Sequence, residues 1–120
     1  MIVKRYDDVV RFSTVEGVTS RILVSGEKTM FLLIDLQPGS VIPFHSHPHE
    51  QAGVCLKGRV EFKTEKGMVV VETNTAYLFA SNEQHGATVL SSEGATVLEA
   101  FSPPREDYLA QVRKYDRHSK

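Results

Sequence analysis

Short apolar segments rich in Val, Ile, Leu, Phe and Thr alternate along the chain with breaks that contain glycine, proline or asparagine. Such segments predict strands, because β-branched and aromatic side chains suit a pleated surface whereas the break residues favour turns. Helical periodicity does not intervene between them, so the pattern predicts an all-β sandwich or barrel. The predicted strands cover residues 21–24, 29–36, 51–57, 59–63, 68–71, 76–79, 87–90 and 96–101, and Val9, Val10 and Phe12 could form an edge strand.

One helix is predicted, and it follows the last strand. Ser102 can cap it, and Pro103 or Pro104 suits its first position. Glu106 and Asp107 favour the positive end of the helix dipole. Apolar side chains then recur at helical spacing, at Tyr108, Leu109, Val112 and Tyr115.

Length and composition limit the remaining choices. A chain of 120 residues has room for one domain, so we expect a single domain over 1–120, with a core of about 18–102 and a helix of about 103–116. The net charge of −1 and the lack of a basic stripe argue against a nucleic-acid partner. The apolar stretches are too short to span a bilayer. Cys55, the single cysteine, fits a reducing compartment, and we expect a cytoplasmic protein.

Three of the five histidines fall within five residues, at 45, 47 and 49. On a strand, residues i and i+2 point to the same face, so His45 and His47 are predicted to converge on one point inside the barrel. Pro48 would end that strand, and Gln51 would open the next one facing the same point. Two imidazoles buried together are costly unless a partner such as a divalent ion pairs with them. For His49 a surface position is the better interpretation.

These residues resemble the first signature motif of the cupin family, G-x5-H-x-H-x3-E-x6-G. Gly39, His45, His47, Gln51 and Gly58 stand at its positions, with glutamine in place of the usual glutamate. The resemblance implies a double-stranded β-helix, or jelly-roll barrel, that binds a divalent metal. Glu50 is a rival for the carboxylate-like ligand, but the motif spacing selects Gln51.

The second cupin motif, G-x5-P-x-G-x2-H-x3-N, is matched more weakly. Asn74, Ala80 and Asn82 replace its Gly, Pro and inner Gly, Val89 replaces its Asn, and only His85 is retained. The ligands implied by the resemblance are His45, His47, Gln51 and His85.

Glutamine as the fourth ligand would shape the chemistry of the site. Three imidazoles and an amide oxygen leave the charge of the ion uncompensated, which strengthens it as a Lewis acid toward oxygen ligands. The lack of a ligand carboxylate also argues against O2 activation. Mn, Fe, Ni, Zn and Cu are all compatible with these ligands.

An acidic residue lies on the apolar face of the last strand. Alternation places Val97, Glu99 and Phe101 on one side, where a carboxylate is unexpected unless it belongs to a site. Two structural alternatives remain, namely an edge strand with Glu99 in water, or a salt bridge from Glu99 to Arg105.

The run from Leu98 to Tyr108 resembles a signature of small cupins whose best-known members are the pectin-degradation (KdgF-like) proteins, which linearise 4,5-unsaturated monouronates. The resemblance implies that Glu99 is the catalytic acid, in place of the usual Asp, and that Phe101 and Arg105 are the aromatic and the arginine of the site. Arg105 can grip a carboxylate bidentately. Tyr77, Gln84 and Cys55 are further candidates for the cavity lining, although Cys55 fits a small core residue better.

The leading hypothesis is therefore a metal-dependent, isomerase-like enzyme that acts on a small acidic sugar, with uronate ring opening as its sharpest form. A non-catalytic cupin that senses or carries a small anion through the metal is the second hypothesis, and a cupin dioxygenase is the third. The family resemblance also implies a homodimer.

Overall fold

The computed structural model describes residues 1–118 of the chain. Within that range ten strands form two antiparallel sheets, preceded by a short 3-10 helix and followed by an α-helix. The strands are β1 (Arg11–Val15), β2 (Val18–Ser25), β3 (Met30–Leu36), β4 (Val41–His45), β5 (Glu50–Lys57), β6 (Arg59–Thr64), β7 (Gly67–Glu72), β8 (Ala76–Phe79), β9 (His85–Val89) and β10 (Ala95–Ser102), and the helices are the 3-10 helix Tyr6–Asp8 and α1 (Glu106–His118).

The two sheets face each other across a common core. One has the strand order β1-β2-β3-β10-β5-β8 and the other the order β4-β9-β6-β7. Side chains that alternate inward from both sheets fill the space between them, among them Met30, Leu32, Val60, Phe62 and Val97. This is the predicted all-β jelly-roll barrel with a short C-terminal helix.

Two strand predictions need correction. The strand predicted to carry His45 and His47 and to end at Pro48 is β4, which covers Val41–His45 and ends before His47. It contains Pro43. Proline is tolerated there because β4 lies at the edge of its sheet, where a backbone N–H can be missing without breaking a ladder. The predicted N-terminal edge strand exists as β1, but it contains Phe12 and excludes Val9 and Val10.

The C-terminal helix begins at Glu106, three residues after the predicted start. Pro103 precedes another proline, which biases it away from helical backbone angles. The carbonyl oxygen of Arg105 accepts the N–H of Leu109 at 3.1 Å, so Arg105 and not Ser102 occupies the capping position. Glu106 and Asp107 lie in the first turn as expected. Within residues 1–118, the helices are too short and too polar to cross a bilayer.

Candidate metal centre and active site

His45 and His85 are brought together by strand pairing. They stand directly opposite each other on the antiparallel strands β4 and β9. Opposite residues of such a pair have Cβ atoms about 5 Å apart, and the two ring centroids are 4.4 Å apart. The ring of Phe79 stacks on His85 at 4.2 Å and 7°, which fixes the plane of that imidazole.

His47 joins them from a loop. The prediction that His45 and His47 share one strand is wrong, because β4 ends at His45. The backbone of His47 is instead held by Asn82, whose N–H donates to the His47 carbonyl oxygen at 2.8 Å. Nevertheless, one ring nitrogen from each of His45, His47 and His85 lies within 4.8 Å of the other two.

Each of these three imidazoles is anchored through its Nδ1 atom to a backbone carbonyl oxygen. The Nδ1 atoms of His45, His47 and His85 lie 2.8, 3.1 and 2.8 Å from the carbonyl oxygens of Pro43, His49 and Glu83. A carbonyl oxygen only accepts, so the proton of each neutral ring belongs on Nδ1, and Nε2 carries the lone pair. Anchoring of this kind orients the histidine ligands of metal sites.

Gln51 turns its amide oxygen toward His47. Its Nε2 donates to Glu99 Oε2 at 2.8 Å, and its Oε1 lies 3.0 Å from His47 Nε2. With the His47 proton on Nδ1, both His47 Nε2 and Gln51 Oε1 present lone pairs to each other and cannot form a hydrogen bond. A cation between them would bind both lone pairs. Nε2 of His85 is also buried without a hydrogen-bond partner in the part of the chain described. The residues present therefore fit a divalent ion.

The electrostatics at two of the three rings, those of His47 and His85, favour neutral imidazoles. Burial lowers the pKa of His47 to about 4, and the nearby positive charge of Arg105 contributes to the shift. Burial likewise lowers the pKa of His85. Metal ions bind the neutral imidazole, so no proton has to be displaced from these rings at neutral pH.

Glu99 is buried on the inner face of the larger sheet, with only 5% of its surface exposed. Strand β10 pairs with β3 on one side and with β5 on the other, so an edge strand with Glu99 in water is excluded. Its Oε2 accepts hydrogen bonds from Gln51 Nε2 at 2.8 Å and from the Tyr77 hydroxyl at 2.6 Å. The salt bridge to Arg105 is not formed, since Arg105 pairs with Asp107.

Burial raises the pKa of the Glu99 carboxyl, against the opposing effect of its hydrogen bonds from Tyr77 and Gln51 and of the Arg105 charge. A raised pKa is what a residue needs to give and take protons near neutral pH. The carboxyl group is also one hydrogen bond away from the amide that faces the histidines. The acidic Glu99 is thus linked through Gln51 to His47 of the histidine cluster.

Arg105 lies at the start of α1 and is buried beside the barrel end. Its Nε and Nη2 donate to Asp107 Oδ1 and Oδ2 at 3.0 and 2.8 Å. The guanidinium packs on the rings of Phe101 and Tyr108, with its central carbon 5.1 and 4.1 Å from the centroids. Burial raises the pKa of Tyr108, against the opposing charge of Arg105.

One cavity of about 70 Å³ inside the barrel joins these groups. Apolar side chains from both sheets line most of it, including Ile34, Val60 and Val97. The polar and aromatic groups at its lining include His45, Gln51, His85, Glu99, Phe101 and Arg105. The arrangement can hold a cation, bear a proton and bind an anionic group around one cavity.

Other candidates have different positions. Cys55 is a free, buried thiol of the core, as the structural interpretation expected. Gln84 is exposed, so its predicted place in the cavity lining is wrong. His49 is partly buried rather than at the surface, and its ring lies 5.4 Å from that of His47 and 6.5 Å from that of Phe101. The role of Phe79 against His85 was missed, although Tyr77 and Phe79 alternate on one strand face.

Two asparagines of the weak second motif have a backbone conformation that glycine favours. Asn74 and Asn82, which replace two glycines, have φ angles of 69° and 66°. Glycine adopts this left-handed region readily, and asparagine is among the residues that tolerate it best. The two asparagines therefore adopt a conformation that glycine would also adopt at the turns before His85.

Comparison with known proteins agrees with this geometry. The family model described as Cupin domain matches residues 32–101. The chain belongs to the cupin family. This cupin is 28% identical over 95 residues to the pectin degradation protein KdgF of Dickeya dadantii. The aligned residues cover 78% of this chain and 86% of that protein. It superposes on the structure of KdgF from Halomonas sp. with a TM-score of 0.82 and 23% identity, over 89% of this chain and 99% of the other.

A third relative is the H2HPP isomerase of Bacillus subtilis. It is 34% identical over 67 residues, which make up 56% of this cupin but only 28% of that protein. The chain is thus a small KdgF-like cupin in which three histidines are positioned for metal binding.

Proposed function

We propose that this cupin, acting as a single domain over residues 1–120, is a metal-dependent enzyme that opens the ring of an unsaturated uronate or a related acidic sugar. One observation carries the proposal: buried Glu99 shares a cavity with His45 and His85 of the histidine cluster and with Arg105. Burying a carboxyl group in a barrel core is costly, and carboxyl groups with perturbed pKa values are concentrated at functional sites. The similarity to proteins named KdgF and to a protein named an isomerase supports the same class of reaction.

His45, His47, Gln51 and His85 are proposed to hold the ion, which the ligand set allows to be Mn, Fe, Ni, Zn or Cu. When bound, a divalent ion would supply Lewis-acid polarisation of a substrate oxygen. The three Nδ1 anchors keep the ring nitrogens directed at one point. The Glu99 carboxyl group accepts a hydrogen bond from Gln51 and is not itself one of the proposed ligands.

The reaction proposed is an isomerisation. The anomeric hydroxyl loses its proton as C1=O forms and the bond between C1 and the ring oxygen breaks. The electron pair stays on that oxygen as an enolate, and C4 then takes up a proton, which leaves a keto acid. No atoms or electrons are gained or lost, so the protein has to supply only proton transfer, orientation and exclusion of water.

Glu99 is the proposed proton carrier. Both of its hydrogen-bond donors reach Oε2, so Oε1 is the oxygen left to exchange a proton with the substrate. Arg105 is the proposed carboxylate-binding residue, because its guanidinium lines the cavity and Asp107 occupies only its Nε and Nη2 atoms. Phe101 would pack against the sugar and exclude water.

The decisive test is turnover by protein of measured metal content. Metal-loaded protein should consume 4,5-unsaturated galacturonate or guluronate, followed by loss of the ultraviolet absorbance of the conjugated double bond and by the appearance of the open-chain product in NMR spectra. Glu99→Gln should abolish turnover while it retains substrate binding. If metal-loaded wild-type protein leaves these uronates unchanged, the uronate assignment is wrong.

A non-catalytic sensor or carrier remains the second hypothesis, because the same cluster and Arg105 would bind a small anion without reacting with it. Binding of uronates with no turnover in either wild type or Glu99→Gln would support it. Oxygen consumption with phenolic or thiol substrates would support the third hypothesis, a cupin dioxygenase.

We also propose a homodimer in the cytoplasm. The outer face of the larger sheet carries two apolar rows in register across four strands, where water-facing sheets carry polar residues. The rows are Leu33–Leu98–Val54–Ala76 and Phe31–Ala100–Ala52–Leu78. Leu33 in the first row is itself buried, whereas Phe31 and Leu78 in the second are 45% and 58% exposed. Exposed apolar side chains in register are typical of an interface, and a second copy would present the same rows. The free thiol of Cys55 fits a reducing compartment.

A further inference from the structure

Three residues of the larger sheet stand in one row across neighbouring strands. Glu99 on β10 pairs with Gly53 on β5, and Gly53 pairs with Tyr77 on β8. Glu99 and Tyr77 are therefore separated by a whole strand, about 10 Å from backbone to backbone. A hydrogen bond between them requires one side chain to cross the middle strand.

Gly53 provides the space for that crossing. A Cβ atom at Gly53 would lie 2.4 Å from Cζ and 2.5 Å from the hydroxyl oxygen of Tyr77, closer than atoms can approach. The tyrosine ring thus lies flat over the glycine. Phe62 and Phe79 hold the ring there, with centroids 4.5 and 5.6 Å from that of Tyr77.

The crossing brings the Tyr77 hydroxyl to the Oε2 atom of Glu99 at 2.6 Å. The same oxygen accepts the Gln51 amide N–H at 2.8 Å. Because the hydroxyl donates to Glu99 from one side, the carboxylate is held where only the NH2 end of the Gln51 amide can face it. The amide oxygen is then directed toward His47.

This orientation matters because a glutamine amide has two nearly isosteric ends. Its terminal torsion is broad and roughly two-fold, so packing alone distinguishes the oxygen from the nitrogen poorly. Only the oxygen has a lone pair that can bind a cation, whereas the NH2 group would repel it. The partner of the NH2 end therefore decides whether Gln51 can serve as a ligand.

We propose that Tyr77, lying across Gly53, is a positioning residue that fixes Glu99 and through it turns the Gln51 oxygen toward the histidine cluster. The inference rests on the proposed metal site and not on the proposed reaction. Tyr77 is the far end of a chain of contacts that runs from β8 through Glu99 and Gln51 to His47. Its effect should appear in metal affinity measured without substrate.

The test uses Tyr77→Phe, which keeps the ring over Gly53 and removes only the hydroxyl. Residues that orient metal ligands typically change affinity by tenfold to a hundredfold, so we expect roughly tenfold weaker Co²⁺ binding in competition with a chelator. The visible spectrum of the Co²⁺ protein should also change. Tyr6→Phe, which alters an exposed tyrosine, is the control and should match wild type in both measurements.

A double-mutant cycle separates positioning from a general loss of packing. In a Gln51→Ala background there is no amide to orient, so Tyr77→Phe should change Co²⁺ affinity by less than twofold. Wild-type affinity and spectrum in Tyr77→Phe would overturn the proposal, as would an equal loss of affinity in both backgrounds. Gly53→Ala, which displaces the ring, should weaken Co²⁺ binding in the same direction. Failure of uronate turnover would leave all of these results unaffected.

Discussion

Asp107 holds the guanidinium of Arg105 through two parallel hydrogen bonds, from Nε at 3.0 Å and from Nη2 at 2.8 Å. The arginine is one-tenth exposed, whereas the aspartate is largely exposed, so the pair lies at the edge of the cavity. Phe101 and Tyr108 hold the flat group from the side. The arginine therefore reaches the site with its orientation already fixed.

Arg105→Lys should impair substrate binding more than the chemical step. Lysine keeps the charge but loses the planar fork, the bidentate contact with Asp107 and the stacking on the two rings. We expect the KM for an unsaturated uronate to rise about tenfold, with a smaller change in kcat. Arg113→Lys, an exposed change on the same helix, is the control. A loss confined to kcat would argue that Arg105 does not bind the carboxylate.

The contribution of Asp107 to stability should depend on pH. Partial burial raises its pKa, but the hydrogen bonds and charge of Arg105 outweigh that effect and leave it below the ordinary value of 3.8. A lowered folded-state pKa gives stability that is present above 3.8 and lost as the pH falls through the folded-state value. The difference in unfolding free energy between wild type and Asp107→Asn should therefore be constant from pH 6 to about 5 and shrink toward pH 2. A difference that is equal at pH 6 and pH 2 would contradict this assignment.

His47 and His49 are two residues apart and should differ sharply in metal binding. His47 belongs to the cluster of ring nitrogens, whereas His49 contributes to it only through its backbone carbonyl, which binds His47 Nδ1. His47→Ala should weaken Zn²⁺ binding by at least a hundredfold, because it removes a ligand and one anchored ring. His49→Ala keeps the carbonyl and should bind one equivalent with affinity within a few-fold of wild type. Equal losses in the two variants would place His49 among the ligands.

The proposed dimer face can be tested with a matched pair of exposed apolar positions. Phe31 and Leu78 lie on the outer rows of the larger sheet and are 45% and 58% exposed, and Val69 on β7 is 65% exposed. Phe31→Glu with Leu78→Lys should convert a dimeric mass to a monomeric one in light scattering after size exclusion. Val69→Lys should leave the mass unchanged. A monomeric wild-type protein at micromolar concentration would refute the dimer.

The local sequence pattern was enough to predict which neighbouring residues of one segment lie together in the structure. Alternation alone placed Val97, Glu99 and Phe101 on one face, and that face is buried as predicted. The convergence of His45 and His47 was also predicted, although for the wrong reason, because the chain turns after His45 and a contact from Asn82 brings His47 back. Sequence spacing indicates which residues come together, but tertiary contacts decide the path that the backbone takes between them.

The pairing register between strands that are distant in the chain could not be predicted from the sequence. The row of Glu99, Gly53 and Tyr77 joins positions that are 46 and 24 residues apart, and no local pattern specifies it. The true extent of β4 was also beyond local pattern, because its Pro43 is acceptable only at a sheet edge, and edge position is a property of the whole sheet. The Asp107 contact that replaces a Glu99–Arg105 salt bridge likewise depends on where the helix begins.

The two asparagines of the second motif allow a test of whether the backbone turn at Asn82 positions His47. Asn74 and Asn82 both have positive φ, so alanine at either should cost about 1 kcal/mol and glycine much less. The backbone N–H of Asn82, which alanine retains, donates to the His47 carbonyl oxygen, whereas that of Asn74 does not. If alanine shifts the positive-φ turn at Asn82, this hydrogen bond moves His47, so only Asn82→Ala should also weaken Zn²⁺ binding, by a few-fold. Thermal unfolding and chelator competition on the four single variants separate the two effects. If Asn74→Ala weakened Zn²⁺ binding as much as Asn82→Ala, the tether to His47 would not be the cause.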